Sequence, residues 1–239
     1  MQPKNKKPCV LISGGTKGIG LALVRKFVAH GFVVATCGRS EDAIDYLRKE
    51  LNETSPQSLV LACDVRNKAA LMHFYKQVFE HFGRLDVLIN NAGVFIPGSL
   101  HEEEDGVFEV MMETNLNATY HLSRLAIPAI KKAPKPHIFN ICSTASITPY
   151  LNGGSYCISK YAQYGLTKVL REELKEFNVR VTAILPGATL TASWAGTDLP
   201  TDRFIDPNSI ADLIWTAYNL PASVVVEDLL VRPMQGDIE

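Results

Sequence analysis

The sequence lacks three features that would narrow its function at once: a long hydrophobic run, an excess of charge of one sign, and a cluster of metal ligands. Its 24 Lys and Arg residues are balanced by 25 Asp and Glu residues, so no basic surface for nucleic acid is expected. The apolar run at residues 9–12, which follows Lys4, Lys6 and Lys7, is too short for a signal peptide or a membrane span. We therefore expect neither a nucleic-acid nor a membrane partner.

Cysteine and histidine are too scattered to suggest a metal site. The five cysteines form no Cys-x-x-Cys pair, and the six histidines show no His-Glu-x-x-His spacing. An odd number of cysteines in mainly apolar runs is typical of free, buried thiols in a reducing compartment. We predict a cytoplasmic protein that binds no metal.

The pattern of apolar residues predicts a single α/β domain over residues 1–239, because no linker-like segment divides the chain. Buried strands that alternate with helices indicate a doubly wound parallel sheet of seven strands with helices on both faces. The predicted strands are residues 9–13, 32–37, 58–63, 85–89, 137–142, 179–185 and 224–231. The predicted helices are residues 19–30, 41–51, 69–82, 117–130, 155–177 and 207–220. Ligands of such sheets bind at the carboxyl ends of the strands, so the residues just after each strand are the ones to examine.

The first predicted strand ends in the turn Gly14-Gly15-Thr16-Lys17-Gly18-Ile19-Gly20, which leads into a helix. Glycines let the backbone approach a pyrophosphate closely, and the N-terminus of a helix offers free N–H donors to it. The spacing is neither Gly-x-Gly-x-x-Gly nor a P-loop. The turn therefore predicts a dinucleotide site, with a ligand-free glycine turn as the alternative.

Basic residues stand where an NAD-specific protein usually carries a carboxylate. Arg39 follows the second predicted strand, and Lys17 lies in the glycine turn. A cation at this place accommodates a 2′-phosphate, so we predict a preference for NADP(H) over NAD(H). The alternative is that both are solvated surface cations.

Small polar residues end the third and fourth predicted strands. Asp64, followed by Val65, either accepts a hydrogen bond from an adenine amino group or caps the next helix. The fourth strand is followed by the segment Asn90-Asn91-Ala92-Gly93.

Tyr156 and Lys160 lie four residues apart in a predicted helix, so their side chains share one face. A phenol has a pKa of about 10, and a neighbouring ammonium or an oxidised nicotinamide is expected to lower it toward the working pH. Tyr164 and Lys168 repeat this spacing about 12 Å further along the helix, so the two pairs cannot serve one site.

A serine distinguishes the two Tyr–Lys pairs. Ser143 follows the fifth predicted strand and precedes Tyr156 by thirteen residues, whereas Leu151 holds the same place before Tyr164. A hydroxyl at a strand end can polarise a substrate oxygen, as an oxyanion-hole donor does. By itself, Ser143 is also interpretable as a loop-capping hydroxyl.

Together these residues resemble the short-chain dehydrogenase/reductase family, of the Tyr-x-x-x-Lys type, along the whole chain. Residues 13–20 are similar to its Thr-Gly-x-x-x-Gly-Ile-Gly cofactor turn, with Ser13 for Thr, and residues 90–93 match its Asn-Asn-Ala-Gly motif. The resemblance implies a Rossmann fold, NADP(H) as cofactor and a catalytic tetrad of Asn115, Ser143, Tyr156 and Lys160. It also implies that a nicotinamide segment, formed by Pro186, Gly187, Thr189 and Thr191, contacts the cofactor, with Thr189 in place of the usual Val.

The resemblance implies a mechanism as well. The substrate carbonyl would lie between Ser143 and Tyr156, and Tyr156 would donate a proton as hydride reaches the carbonyl carbon. Lys160 would hold the ribose and lower the pKa of the tyrosine. Asn115 would hold a water that returns the proton.

The substrate is less determined than the reaction. The family places a mobile lid at residues 190–205, and we predict an apolar pocket of Phe95, Ile96, Tyr150, Leu151 and Trp194. Residues 156–166 and 225–239 are similar to bacterial sepiapterin-reductase-like members, which leaves a pterin ketone open. A 3-oxoacyl-carrier-protein reductase and a non-catalytic NADP(H)-binding redox sensor also stay open. Family members assemble through helices equivalent to 117–130 and 155–177, so we expect a homo-oligomer, a tetramer in particular.

Overall fold

In the computed structural model, which describes residues 7–238, seven strands form one parallel sheet. The strands are β1 (Cys9–Ile12), β2 (Val33–Gly38), β3 (Leu59–Ala62), β4 (Val87–Asn90), β5 (His137–Ile141), β6 (Arg180–Pro186) and β7 (Asp228–Val231). All seven predicted strands are present, although the last is shorter than predicted. Lys4 and Lys6 lie outside the described residues.

Helices connect the strands and cover both faces of the sheet. They are α1 (Gly18–Ala29), α2 (Glu41–Thr54), α3 (Lys68–Phe82), α4 (Val107–Met111), α5 (Ala118–Ile130), α6 (Gly154–Leu174) and α7 (Pro207–Asn219). Leu11 in β1 packs into the hydrophobic cluster on one face, and Val10 and Ile12 pack into the cluster on the other face. The prediction of a doubly wound α/β fold is therefore confirmed.

The order of the strands is β3-β2-β1-β4-β5-β6-β7, so the chain reverses direction across the sheet between β1 and β4. Val10 pairs with Val34 on one side and with Val87 on the other. In doubly wound sheets a crevice opens at this switch point, outside the carboxyl ends of the strands. The glycine turn after β1 and the segment after β4 meet at this crevice.

The structure has a helical segment before α5 that the sequence pattern does not predict. The helix α4 is followed by a π-helical stretch, Met112–Asn117, which runs directly into α5. The N–H of Ala118 bonds to the carbonyl of Glu113, five residues earlier, as in a π-turn. Because α4 has only five residues, it shows no helical period in the sequence, and the predicted helix therefore begins only at residue 117.

Two other features concern the cysteines and the length of the helices. All five cysteines are free and buried. None of the helices in residues 7–238 combines the length and apolar character that crossing a bilayer requires.

Candidate active site

The turn after β1 requires glycine at specific positions. Gly14 and Gly18 have φ angles of +70° and +54°, in the left-handed region that favours glycine. A Cβ added to Gly20 would lie 2.2 Å from the carbonyl oxygen of Gly14 and 2.5 Å from Nδ2 of Asn91. The turn is therefore tightly closed on itself, with the N-terminus of α1 facing the crevice.

The segment after β4 holds this turn in place. Oγ of Ser13 accepts hydrogen bonds from the backbone N–H groups of Asn91 and Ala92, both at 3.0 Å. Nδ2 of Asn91 donates in return to the carbonyl oxygens of Ser13 and Gly14, both at 2.9 Å. Two motifs that are more than seventy residues apart in sequence thus form one rigid floor at the switch point.

Two exposed cations lie beside this floor. Lys17 occupies the N-cap position of α1, and Arg39 directly follows β2. Thr16, next to Lys17, packs against Gly38, next to Arg39, since a Cβ on Gly38 would lie 2.7 Å from Oγ1 of Thr16. Lys17 and Arg39 therefore flank the contact between the glycine turn and the carboxyl end of β2.

Asp64 has an ion-pair partner that the sequence pattern does not predict. Arg66 makes a bidentate ion pair with its carboxylate, from Nη2 to Oδ2 at 2.6 Å and from Nε to Oδ1 at 3.1 Å. This hydrogen bonding holds the pKa of Asp64 below its usual value. Asn67 caps α3 by accepting a hydrogen bond from the N–H of Ala70, so the alternative that Asp64 caps this helix is wrong. Asp64 remains at the carboxyl edge with Val65, which is buried beside it.

Ser143 and Tyr156 meet at the carboxyl end of β5. Oγ of Ser143 accepts a hydrogen bond of 3.1 Å from the N–H of Ala145, which leaves its own proton free to donate. The interpretation of Ser143 as a capping hydroxyl is confirmed, because it caps a short 3₁₀ turn, Thr144–Ser146. Ser143 also lies within hydrogen-bonding reach of Tyr156, and its role toward a substrate oxygen stays a prediction.

The pKa of Tyr156 differs from the expectation. Burial raises it to about 12, and the hydrogen bond from Ser143 opposes this effect without cancelling it. The expected lowering by Lys160 is absent, because the ammonium lies 5.9 Å from the ring centroid and is bound elsewhere. The phenol of the free protein is thus protonated at neutral pH.

Lys160 is almost completely buried between α6 and the sheet. Its ammonium donates to the carbonyl oxygen of Ile141 and to Oε1 of Gln163, both at 2.9 Å. Burial lowers its pKa to about 8, so the group is still mostly charged at pH 7. A Cβ on Gly93 would lie 3.6 Å from Nζ, which places Lys160 directly beneath the segment after β4.

Asn115, in the π-helical stretch, is fully buried and fixes the loop after Gly93. Its Oδ1 accepts from the N–H of Val94 at 2.8 Å, and its Nδ2 donates to the Val94 carbonyl oxygen at 3.0 Å. Nδ2 also donates to Oγ of Ser159, one residue before Lys160, at 2.9 Å. The asparagine side chain therefore links α6 to the loop, and the fourth member of the predicted tetrad lies beside the other three.

The segment after β6 reaches the glycine turn from the opposite side. A Cβ on Gly18 would lie 3.1 Å from Cγ2 of Thr191, so this part of the predicted nicotinamide segment lies against the start of α1. Thr189 is buried, and its hydroxyl donates to the carbonyl oxygen of Gly187. Thr189 also forms a β-bridge with Ile205, which ties together the two ends of the predicted lid.

The predicted pocket residues divide into two groups. The ring of Phe95 packs edge-on against Tyr156, with centroids 4.9 Å apart, and Ile96 next to it is partly buried. Leu151, by contrast, is 93% exposed, so its assignment to the pocket wall is not supported. Trp194 packs on Phe204 inside the lid, at 5.0 Å between centroids, rather than on the tyrosine.

Tyr150 and the C-terminal tail lie at the rim of the site. Tyr150 is half exposed. A Cβ on Gly187 would lie 2.9 Å from Oδ1 of Asp237, so the tail covers part of the predicted nicotinamide segment. The guanidinium of Arg203, in the lid, donates to the carbonyl oxygens of Gly236 and Asp237, both at 3.3 Å. No sequence motif indicated this contact between lid and tail.

Glu103 is a second residue of the site that the sequence pattern does not predict. Its carboxylate accepts hydrogen bonds from the N–H of Ser155, at 2.8 Å, and from the Ser155 hydroxyl. A carboxylate at this place satisfies a free N–H at the start of α6 and interacts favourably with the helix dipole. Gly154 leaves room for it, because a Cβ there would lie 2.0 Å from its Oε1. Glu103 therefore fixes the first turn of the helix that carries Tyr156.

Comparison with known proteins agrees with this geometry. The family model for short chain dehydrogenases matches residues 8–200. The chain is 30% identical over 241 residues to sepiapterin reductase from Chlorobaculum tepidum, with 98% of this chain and 99% of that protein covered. It is also 30% identical over 244 residues to the NADP-dependent 3-hydroxy acid dehydrogenase of Salmonella typhimurium, with 94% of each covered.

A solved structure is similar along its whole length. The alcohol dehydrogenase from the archaeon Thermococcus sibiricus, complexed with 5-hydroxy-NADP, has a TM-score of 0.88 and 27% identity, with 98% of this chain and 100% of that chain covered. Fold and site together define an oxidoreductase with a Rossmann-type sheet. The chain belongs to the short-chain dehydrogenase family, which confirms the resemblance inferred from its motifs.

Proposed function

We propose that this protein is an NADP(H)-dependent carbonyl reductase or alcohol dehydrogenase that transfers a hydride between the nicotinamide and a small carbonyl or hydroxyl substrate. The observation that carries the proposal is the meeting of two hydroxyl groups, from Ser143 and Tyr156, above the buried ammonium of Lys160. A pair of O–H donors at the edge of an apolar ring, Phe95, suits a carbonyl oxygen that becomes an alcohol.

The residues at the switch point fit a dinucleotide phosphate. The tight turn at Gly14, Gly18 and Gly20 brings backbone N–H groups to the crevice with no side chain in the way. Lys17 and Arg39 would hold the 2′-phosphate, and Asp64 would face the adenine. The predicted nicotinamide segment would contact the carboxamide. The bound 5-hydroxy-NADP of the archaeal relative supports this choice of cofactor.

The chemistry follows from the protonation states of the side chains. When bound, NADPH supplies the hydride that adds to the carbonyl carbon. Tyr156 carries its proton at neutral pH, because its pKa is about 12, and donates this proton to the carbonyl oxygen. Ser143 would donate a hydrogen bond to the same oxygen, and the Lys160 ammonium would hold the cofactor ribose. Asn115 would hold the water that returns a proton to the relay.

We propose a small ketone with an apolar body as substrate. The relatives support an oxidoreductase acting on a small molecule but differ in substrate, since one is a sepiapterin reductase and another a 3-hydroxy acid dehydrogenase. A pterin ketone is the particular alternative that the first relative favours. A 3-oxoacyl-carrier-protein reductase is an alternative enzyme, and a non-catalytic NADP(H)-binding redox sensor is the alternative of another class.

Assembly into a homo-oligomer, a tetramer in particular, stays a prediction. Apolar and aromatic side chains on α5 and α6 are partly exposed in the single chain, which supports a partner at these helices: Tyr120, Ile158, Tyr161 and Val169, between 41% and 53% exposed. A cytoplasmic location also stays a prediction.

The test of the proposed function is consumption of NADPH with a panel of carbonyl compounds: diketones, aromatic aldehydes, sepiapterin and an acetoacetyl thioester. We expect a rate with at least one class and a far lower rate with NADH. Tight binding of NADPH without a rate on any compound would favour the sensor over the enzyme.

The two cations beside the glycine turn are expected to set the cofactor preference. Arg39→Ser, alone or with Lys17→Ser, should weaken NADPH binding about tenfold or more per residue, since a hydrogen bond to a charged group contributes about 1.5–3 kcal/mol. Affinity for NADH should change little, because NADH carries no 2′-phosphate. The measurement is the dissociation constant of each cofactor by fluorescence titration.

A matched control is Lys49→Ser, which removes an exposed cation from α2 away from the crevice. If the control weakens NADPH binding as much as Arg39→Ser does, only general electrostatic attraction is at work. An equal loss for NADPH and NADH would show that Arg39 does not contact the 2′-phosphate.

A further inference from the structure

Gln163 is a fully buried polar residue that the reaction described above does not use. It lies on α6 three residues after Lys160, and its Oε1 accepts a hydrogen bond of 2.9 Å from the lysine ammonium. A buried amide must satisfy both its oxygen and its N–H groups, so its partners indicate what it is there to hold.

The orientation of this amide is fixed by α5. Nε2 of Gln163 donates to Oγ1 of Thr119 at 3.0 Å. That hydroxyl has a single proton, which it donates to the carbonyl oxygen of Asn115 at 3.0 Å. Thr119 can therefore only accept from Gln163, which forces Oε1 of the amide toward Lys160.

The ammonium of Lys160 has three N–H donors. One is bound by the carbonyl oxygen of Ile141 and one by Gln163. Gly93 lies on the crevice side of Nζ, where a Cβ would come within 3.6 Å of it. The third donor is thereby left for the crevice, where the ribose would lie.

We propose that Gln163 is a positioning residue for the reaction, which keeps the Lys160 ammonium charged in its buried site and directs its remaining N–H group at the cofactor ribose. This inference rests on the proposed role of Lys160. An amide accepts a hydrogen bond from the charged form of an amine, so it opposes the effect of burial on the protonation of Lys160. The amide does not take part in proton transfer itself, because it has no group that titrates near neutral pH.

Few other titratable groups face Lys160 in the described structure. On the sheet side the nearest is the thiol of Cys142, whose pKa burial raises to about 11. On α6 itself it is Tyr156. The residues that α5 and the π-helical stretch present to this network, Thr119 and Asn115, do not titrate. Near pH 8, where Lys160 titrates, the thiol and the phenol are both neutral. A substitution of Gln163 should therefore shift the titration of Lys160 without a contribution from these two groups.

The test compares two substitutions with opposite expected effects. Gln163→Met keeps the unbranched shape but removes the acceptor, so the pKa of Lys160 should fall. Gln163→Glu places a carboxylate beside the ammonium, so this pKa should rise. Each shift should be about one pH unit, the size expected for a hydrogen bond or charge acting on a buried charged group.

The first readout needs no turnover. The pKa of Lys160 is measured in the cofactor-free protein by NMR of 13C-labelled lysine, with the Lys160 signal assigned by its loss in Lys160→Arg. The second readout is the pH dependence of kcat/KM for NADPH with whichever carbonyl of the panel gives a rate. Activity is lost as pH rises through the lysine pKa, so the alkaline limb should move down in Gln163→Met and up in Gln163→Glu.

Thr167→Val is the matched control. Thr167 lies one turn further along α6, is equally buried, and accepts a hydrogen bond from Asn140, but does not contact Lys160. In Thr167→Val we expect the pKa of Lys160 and the alkaline limb of the kcat/KM profile to be the same as in the original protein.

The proposal is overturned if neither substitution moves the lysine pKa, if both move it in the same direction, or if the control moves it as much. If Gln163→Met fails to fold, the upward shift in Gln163→Glu decides. If no carbonyl is turned over, the NMR titration still decides the role of Gln163, while the proposed function fails separately.

Discussion

Tyr156→Phe is expected to lower kcat for NADPH-dependent carbonyl reduction by at least about 100-fold, since a positioned general acid contributes about 10²–10⁴ in rate. The substitution removes only the hydroxyl. The edge-on contact of the ring with Phe95 is kept, and so are the hydrogen bonds that hold Lys160. We therefore expect nearly unchanged affinity for NADPH, measured by fluorescence titration beside the steady-state rate.

The same helix offers a matched control in Tyr164→Phe. This residue belongs to the second Tyr–Lys pair, and its hydroxyl donates to Asp228 at 2.7 Å, on the side of β7. Its loss should leave kcat within experimental error of the original value. A Tyr156→Phe protein that keeps most of its rate, or a Tyr164→Phe protein that loses it, would show that the proton donor is misassigned.

Gly20→Ala is expected to have the second largest effect, on both stability and cofactor binding. The new Cβ would overlap the carbonyl oxygen of Gly14 and the side-chain amide of Asn91, at 2.2 and 2.5 Å. The first of these atoms is backbone, so the glycine turn itself must shift. We expect the free energy of unfolding in urea to fall by about 1–3 kcal/mol, the usual cost of overpacking. Affinity for NADPH should fall at least about tenfold, since a backbone shift removes hydrogen bonds to a charged phosphate.

Gly165→Ala is the control for this substitution. Gly165 lies in α6, and among residues 7–238 no atom beyond the backbone of that helix comes within 4 Å of an added Cβ. Alanine there should raise the free energy of unfolding by about 0.5–1 kcal/mol, because it restricts the unfolded chain and favours helix. A Gly20→Ala protein as stable as the original, with normal NADPH affinity, would contradict the close approach of the turn to Asn91.

The positions of the site residues along the chain could be predicted because the fold repeats one rule. Each apolar run of suitable length becomes a parallel strand, and all carboxyl ends meet at one edge. The convergence of the residues that follow the strands can therefore be predicted without knowing their contacts, as for Gly14 after β1, Asn91 after β4 and Ser143 after β5. Tyr156 and Lys160 need only the period of the helix to share a face.

The chemical state of those residues could not be predicted in this way. The i, i+4 spacing indicated that Lys160 would lower the pKa of Tyr156, but burial raises it instead. Of the two groups that hold the lysine ammonium, one, the carbonyl oxygen of Ile141, lies on the neighbouring strand and is not specified by the local sequence of the helix. Leu151 shows the same limitation, since apolar character alone suggested a pocket wall and the residue is almost fully exposed.

What the sequence by itself determined is the α/β fold, the order of motifs along one sheet edge, and the family to which the chain belongs. Local periodicity and the conformational needs of glycine carry this information, and both depend on near neighbours in the chain. Only the tertiary structure decided which polar groups are paired. Glu103 reaches Ser155 across 52 residues, and Gln163 reaches Thr119 across 44. Burial and hydrogen bonding across such separations set the pKa values and the aim of the side chains, because both depend on what surrounds a group in space.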